Sequence, residues 1–316
     1  RTRARHKRET KEPIVKTWRK ITLGVVGAIL VVVLTRLAVL TRSKAHDFVT
    51  QPRAARSLPH KTPADYRLPY EDVIVTTTGG LRLVGWYIPS QNGAVIIAQH
   101  GYKSNRAEML NEAEMLHRHG YGVLISSVRA HDYSDGEQIS FGCHEVQDLE
   151  AWYRYVLTRR DIDPGRIGIL GNSMGGSIVI QYAAQNANIK AVVANSAFSS
   201  LKDTVATSVT YFTGLRPFPF APLIIFWAER EVGFKASEID AKKWIPRISP
   251  RPVFLMQGGA DVVISTDSGN LLYAAAGDPK ELWTEPELGH TRFDTSLPQE
   301  YEQRVVGFFD KYLVDK

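Results

Sequence analysis

Ser173, Asp261 and His290 are side chains that together can break an acyl bond. A serine hydroxyl is a poor nucleophile near neutrality. It needs a base to take its proton and a carboxylate to hold that base in the right tautomer and charge state. Ser173 stands in Gly171-Asn172-Ser173-Met174-Gly175-Gly176, after the apolar run Arg166–Leu170 and before a helical stretch from Met174. That is a G-x-S-x-G pattern at a strand-turn-helix junction, where the serine is forced into a strained turn and the flanking glycines admit neighbouring backbone. Out of that context the pattern is common by chance, and a Gly/Ser-rich turn that binds phosphate or nothing is the bland reading. Asp261 follows the run Pro252–Met256, and His290 follows Glu281–Glu285. Taken singly, Asp261 reads equally well as a turn or helix cap, and His290 as a loop histidine. Their shared placement after strand-like runs makes the joint catalytic reading the stronger one. Asp267 and Asp294 are the substitute acids.

A developing oxyanion needs two N–H donors. One is expected from Met174, at the start of the helix after the serine. The other is expected from Tyr102 in the loop His100-Gly101-Tyr102-Lys103-Ser104, where Gly101 permits close backbone approach. His100 is read as shaping that loop. No metal site is expected: His117 and His119 are two apart, on different faces of a helix, and no other cluster has ligand spacing.

The elements that must position these residues alternate. Strands are predicted at Asp72–Thr78, Leu81–Ile88, Ala94–Gln99, Gly122–Ser126, Arg166–Leu170, Ala191–Ala194, Pro252–Met256 and Glu281–Glu285. Gly79-Gly80 marks a hairpin between the first two. Helices are predicted at Arg106–His119, Glu145–Leu157, Met174–Gln185, Thr266–Ala276 and Gln299–Leu313. Such alternation implies an α/β fold with a mostly parallel central sheet and helices on both faces, its site beyond the carboxyl ends of the strands. Between about 199 and 247 the alternation breaks into YFTGLRPFPFAPLIIFW and its surroundings, read as a cap insertion that could line an acyl pocket, pack as an ordinary helical excursion, or dip into a bilayer.

With these motifs in place, the chain resembles the α/β-hydrolase superfamily over roughly residues 72–314. It looks closest to the serine hydrolase branch that holds bacterial membrane-linked hydrolases and BEM46-like eukaryotic proteins, often labelled serine aminopeptidase or esterase. The resemblance rests on His100-Gly101-Tyr102, Arg129-Ala130-His131-Asp132-Tyr133-Ser134-Asp135-Gly136, the G-N-S-M-G-G turn, Gly258 to Asp261 and Gly289-His290. It implies the chain order Ser, Asp, His and an acyl-enzyme mechanism on Ser173, His290 and Asp261, with no metal and no organic cofactor. One loop departs from the family pattern D-x-R-G-x-G-x-S-x-G. Ser127 replaces the Asp, Ala130 the first Gly and Asp132 the second. Arg129 and Asp148 are read as a structural pair bracing this loop.

Ahead of the domain lies a segment of different character. Residues 1–20 carry nine Lys/Arg against Glu9 and Glu12, and residues 21–62 carry six against Asp47; this leaves residues 63–316 at −6 within a chain of +6. The basic arm precedes ITLGVVGAILVVVLT, which has no charge, then Arg36 and LAVLT. Spanning hydrocarbon takes about 20 residues, so residues 21–41 are expected to cross a bilayer with Arg36 snorkelling. A cleaved signal peptide ending near Ser43-Lys44-Ala45 and a buried core helix are the alternatives. The positive-inside rule puts the N-terminus in the cytoplasm and the domain outside. Residues 42–70, polar and containing prolines, are expected to be a tether. Domain organisation thus reads as a basic arm 1–20, a transmembrane segment 21–41, a linker 42–70 and an α/β-hydrolase domain 71–316. The single Cys143 excludes an intrachain disulfide.

The function expected is hydrolysis of a small-molecule acyl or lipid-like ester at a membrane, with no nucleic acid involved. A peptidase or thioesterase on the same three residues, and a non-catalytic membrane-tethered binding module, are the alternatives.

Overall fold

The computed structural model describes residues 12–314; the basic arm expected at 1–20 falls largely outside the described residues. The elements run α1 (Glu12–Val49), β1 (Glu71–Thr76), β2 (Arg82–Ile88), β3 (Val95–Gln99), α2 (Leu110–Arg118), β4 (Gly122–Ser126), α3 (Glu145–Val156), β5 (Ile167–Asn172), α4 (Met174–Ala183) and β6 (Ala191–Asn195). They continue with α5 (Leu201–Thr213), α6 (Pro217–Val232), α7 (Ala241–Trp244), β7 (Val253–Gly258), α8 (Ser268–Ala275), β8 (Lys280–Glu285), α9 (Phe293–Ser296) and α10 (Pro298–Phe309). The eight strands form one sheet in the order β1-β2-β4-β3-β5-β6-β7-β8. The β1/β2 hairpin and the β2/β4 pair are antiparallel, and every later pair is parallel. The predicted α/β fold is the one observed.

The inner strands are apolar on both faces because helices cover both. Val95–Gln99, Gly122–Ser126 and Ala191–Asn195 are buried throughout. One core, with Leu124, Trp152, Ile178 and Val192, lies on one side of the sheet. The other, with Ile96, Ile125, Tyr121 and Phe309, lies opposite. Burial of this kind stabilises by about 25 cal/mol per Å² removed from water, and is the main reason the sheet holds its register.

The expected tether is corrected by the structure. Helix α1 does not end at residue 41 but continues to Val49. Thr41, Ala45 and Val49 are buried, one turn apart, where α1 packs against the protein. Beyond it the chain stays on the surface of the domain. The Gln51 N–H donates to the Glu137 carbonyl at 2.8 Å and the Ile139 N–H to that of Val49 at 2.8 Å. The buried Arg56 guanidinium donates to the carbonyls of Gln51, Ser134 and Gly136. From Thr17 to Arg36, by contrast, every side chain of α1 is exposed. The segment expected as a cap holds α5, α6 and the short α7, with Phe218, Tyr211 and Phe212 exposed.

Candidate active site

Strand β5 ends at Asn172 and α4 starts at Met174, so Ser173 alone makes the turn, with φ +56° and ψ −119°. The turn is tight enough that only glycine fits beside it. A Cβ on Gly175 would lie 2.4 Å from the Gln99 carbonyl oxygen, and one on Gly171 2.5 Å from the Gly175 carbonyl carbon. The Ser173 N–H donates to the Asn195 carbonyl at 2.8 Å, which ties the turn to the end of β6.

The structure brings the three predicted side chains together. His290 Nε2 is 2.8 Å from Ser173 Oγ, and His290 Nδ1 is 2.7 Å from Asp261 Oδ2. Asp261 is fixed from its other side: its Oδ1 accepts the N–H groups of Val263 and Ile264, each at 2.9 Å, and Gln257 Nε2 donates to Oδ2 at 3.2 Å. A carboxylate so held imposes the tautomer with Nδ1 protonated, and leaves Nε2 free to accept from the serine. The substitute acids lie elsewhere. Asp267 is exposed before α8, and Asp294 accepts from Asn111 at 2.9 Å.

Tyr102 and Met174 border the same cavity as Ser173 and His290, a space of about 270 Å³. In the Gly101–Lys103 loop, the Gly101 N–H is taken by the Glu108 carboxylate at 3.2 Å and the Lys103 N–H by His131 Nε2 at 3.0 Å. Among the described residues the Tyr102 N–H between them has no acceptor, and Met174, as the first residue of α4, has an N–H that the helix itself cannot satisfy. His100 shapes this loop as expected, donating from Nδ1 to the Gly101 carbonyl at 2.8 Å. Burial holds its imidazole below its ordinary range, and holds that of His131, whose ring lies 4.9 Å away, lower still.

The departing loop keeps the backbone that the missing glycines would provide. Ala130 and Asp132, at the two glycine positions, have φ of +61° and +52°. Asp132 holds that conformation through an ion pair with buried Arg106 at 2.9 Å and by accepting the Tyr133 N–H at 2.7 Å. Arg129 and Asp148 pair at 2.7 Å, as expected. The sequence reading missed Phe48, Glu108 and Phe141 as cavity residues. Only Glu108 carried a signal, its place on the helix after the loop.

The sequence is 30% identical over 227 residues to the Mycobacterium tuberculosis protein Rv2307c, covering 69% of this chain and 72% of that one. A Pyrococcus furiosus esterase, Pf2001, superposes with a TM-score of 0.70 at 27% identity, covering 83% of this chain and all but 1% of its own, for it is 99% covered. The chain belongs to the α/β-hydrolase superfamily. Other findings agree with that membership. The sequence profile of the X-Pro dipeptidyl-peptidase (S15) family matches residues 79–213. The Arabidopsis thaliana α/β hydrolase domain-containing protein WAV2 is 27% identical over 267 residues, covering 81% of this chain and 83% of that one. In that fold Ser173, Asp261 and His290 follow the carboxyl ends of β5, β7 and β8.

Proposed function

We propose that the protein is a membrane-anchored serine hydrolase that cleaves carboxylic esters of acyl or lipid-like substrates. The observation that carries this is His290, which bridges Ser173 and Asp261 through its two ring nitrogens at 2.8 and 2.7 Å. In this reading Ser173 Oγ attacks the ester carbonyl while its proton passes to His290 Nε2. Asp261 stabilises the imidazolium, and the N–H groups of Tyr102 and Met174 receive the oxyanion. His290 then protonates the departing alcohol, leaving an acyl-serine. A water molecule, deprotonated by His290, attacks that ester; the acid leaves and Ser173 regains its proton.

The character of the cavity supports an acyl substrate. Phe48, Phe141, Phe198, Tyr211 and Phe212 give it an apolar, aromatic wall. A larger, more open groove of about 670 Å³ between α1 and α6 contains none of the three reacting residues. The membrane reading draws on α1. Its exposed stretch from Thr17 to Arg36 is about 30 Å long at 1.5 Å per residue, the thickness of bilayer hydrocarbon. The packing of Thr41, Ala45 and Val49 favours an uncleaved anchor, because removal at Ser43-Lys44-Ala45 would strip the helix from that contact. The charge bias keeps the N-terminus cytoplasmic and the domain outside.

A fluorophosphonate probe tests the chemistry. Wild type labels and Ser173→Ala does not; an unlabelled wild type overturns the proposal in favour of a binding module. The S15 profile match favours a second reading, a peptidase on the same residues. Comparing p-nitrophenyl acyl esters with aminoacyl anilides separates the two, and faster turnover of anilides would replace the ester reading.

A further inference from the structure

The last turn of α1 reaches the loop that carries Tyr102. The Tyr102 phenol donates to the Phe48 carbonyl at 2.6 Å, and the Lys103 ammonium donates to the Asp47 carbonyl. These are carbonyls of a helix C-terminus, which have no intrahelical partner and carry the negative end of the helix dipole. The Phe48 ring stacks on Phe141 at 4.6 Å and meets Tyr102 at 5.8 Å, and Tyr102 in turn meets Phe141 at 5.6 Å. Phe48 also borders the cavity that holds Ser173 and His290. The helix expected only to anchor the domain therefore meets the surroundings of Ser173 twice, by hydrogen bonds to the Tyr102–Lys103 loop and by an aromatic ring on the cavity wall.

We infer that the C-terminal turn of α1 is part of the active site: through the Tyr102 phenol it positions the loop whose N–H receives the oxyanion, and through the Phe48 ring it limits the acyl group the cavity accepts. The inference rests on the hydrolase reading above and adds to it a role for the N-terminal helix. Tyr102 has two functions in this arrangement. Its backbone N–H meets the developing charge, while its side chain, 54 residues away from its partner in sequence, fixes where that N–H stands. Misplacing an oxyanion donor weakens only the transition state, since the ground-state carbonyl makes a poorer hydrogen bond. Phe48 contacts substrate rather than transition-state charge, so its removal changes which substrate fits.

The two contacts thus have opposite kinetic signatures, and full-length protein in detergent or lipid nanodiscs reads both. Tyr102→Phe keeps the ring and deletes the hydroxyl. Per active site titrated with fluorophosphonate, its kcat on p-nitrophenyl esters is expected to fall about tenfold with KM within twofold of wild type. Phe48→Ala is expected to shift the preferred acyl chain to longer esters, mainly through KM. Amide hydrogen exchange in residues 100–104 is expected to quicken in Tyr102→Phe, a readout that needs no turnover. Unchanged kcat per titrated site together with unchanged exchange in Tyr102→Phe overturns the positioning role; an unchanged chain-length preference in Phe48→Ala overturns the wall. A wild type that neither labels nor hydrolyses esters defeats the hydrolase reading instead, and exchange alone then decides whether α1 orders the loop.

Discussion

The side-chain amide of Asn172 donates to the buried carboxyl of Glu112 at 2.9 Å, directly beneath the turn that presents Ser173. Tyr301 reaches the same oxygen at 3.5 Å, and Asn195 donates to the Asn172 oxygen at 3.2 Å. Burial, reinforced by the nearby Asp294 carboxylate and only partly opposed by Asn172, pushes the Glu112 carboxyl up to about 8. The folded protein therefore keeps a proton that the unfolded chain releases near its ordinary value of about 4.3. The resulting stabilisation is complete below that value, declines as pH rises, and is lost once pH passes about 8. Glu112→Gln should match wild type near pH 4 and be more stable by a few kcal/mol at pH 9. Parallel melting curves for the two proteins across that range would refute this.

Asp261→Asn leaves the geometry in place but removes the charge that His290 faces at 2.7 Å. A loss of about 10⁴ in kcat is expected, as in other enzymes with this arrangement, with little change in melting temperature. Steady-state kinetics on a p-nitrophenyl ester are sufficient to measure it.

Ser173 sits at φ +56°, where a side chain is strained and glycine is not. Ser173→Gly should abolish hydrolysis while raising stability by about 1 kcal/mol, the lower end of such backbone strain. Thermal denaturation that shows the variant less stable than wild type would count against strain at this turn.

Two glycines beside the turn should differ in what they tolerate. A methyl group on Gly101 would stand 3.2 Å from the Ser173 Cβ, a contact that a small shift can relieve. Gly101→Ala is therefore expected to fold and, on the proposed mechanism, to lose about tenfold in kcat through displacement of Ser173. On Gly175 the methyl would meet two backbone carbonyl oxygens at 2.4 and 2.5 Å. Gly175→Ala should cost about 3 kcal/mol of stability, the upper end of overpacking, and circular dichroism melts of the pair would show the contrast.

Arg129 and Asp148 form a buried pair between the departing loop and α3. Burial pushes the Asp148 carboxyl up to about 6 even with its partner present. Arg129→Met leaves that carboxyl without a cation, and should cost about 3 kcal/mol at pH 8. The loss should shrink towards pH 5, where the group is protonated. A penalty that is the same at both pH values would show that the ion pair is not its source.

Much of this site could be read directly from the residues. The strand-turn-helix context of Ser173, and the placing of Asp261 and His290 after strands, are local features that survive into the fold because sheet edges are built from them. The antiparallel β1/β2 pair likewise followed from Gly79-Gly80, whereas the antiparallel β2/β4 pair had no signal of its own. What could not be read was the fate of residues 41–49. TRSKAHDFV has no apolar stripe, and its three inward positions, at 41, 45 and 49, are small or medium side chains that gain a meaning only from the surface they meet. Phe48 was hidden for the same reason, since its partners Phe141 and Tyr102 lie about 90 and 50 residues further along. The Ala130 and Asp132 positions show the reverse case. Substitution of two glycines suggested an altered loop, yet both positions keep the left-handed backbone, Asp132 with an ion pair to buried Arg106 and Ala130 with its N–H on the Asp135 carbonyl.

Because α1 runs without a break from Glu12 to Val49, the exposed stretch and the packed turn share one rigid axis. Each residue of a helix turns the chain by about 100° and lifts it by about 1.5 Å. The direction in which the cavity mouth faces is therefore encoded as an angular phase along the stretch from Thr17 to Arg36. One added residue there would swing the whole body about a quarter-turn; four added residues would nearly restore its bearing while raising it by about 6 Å.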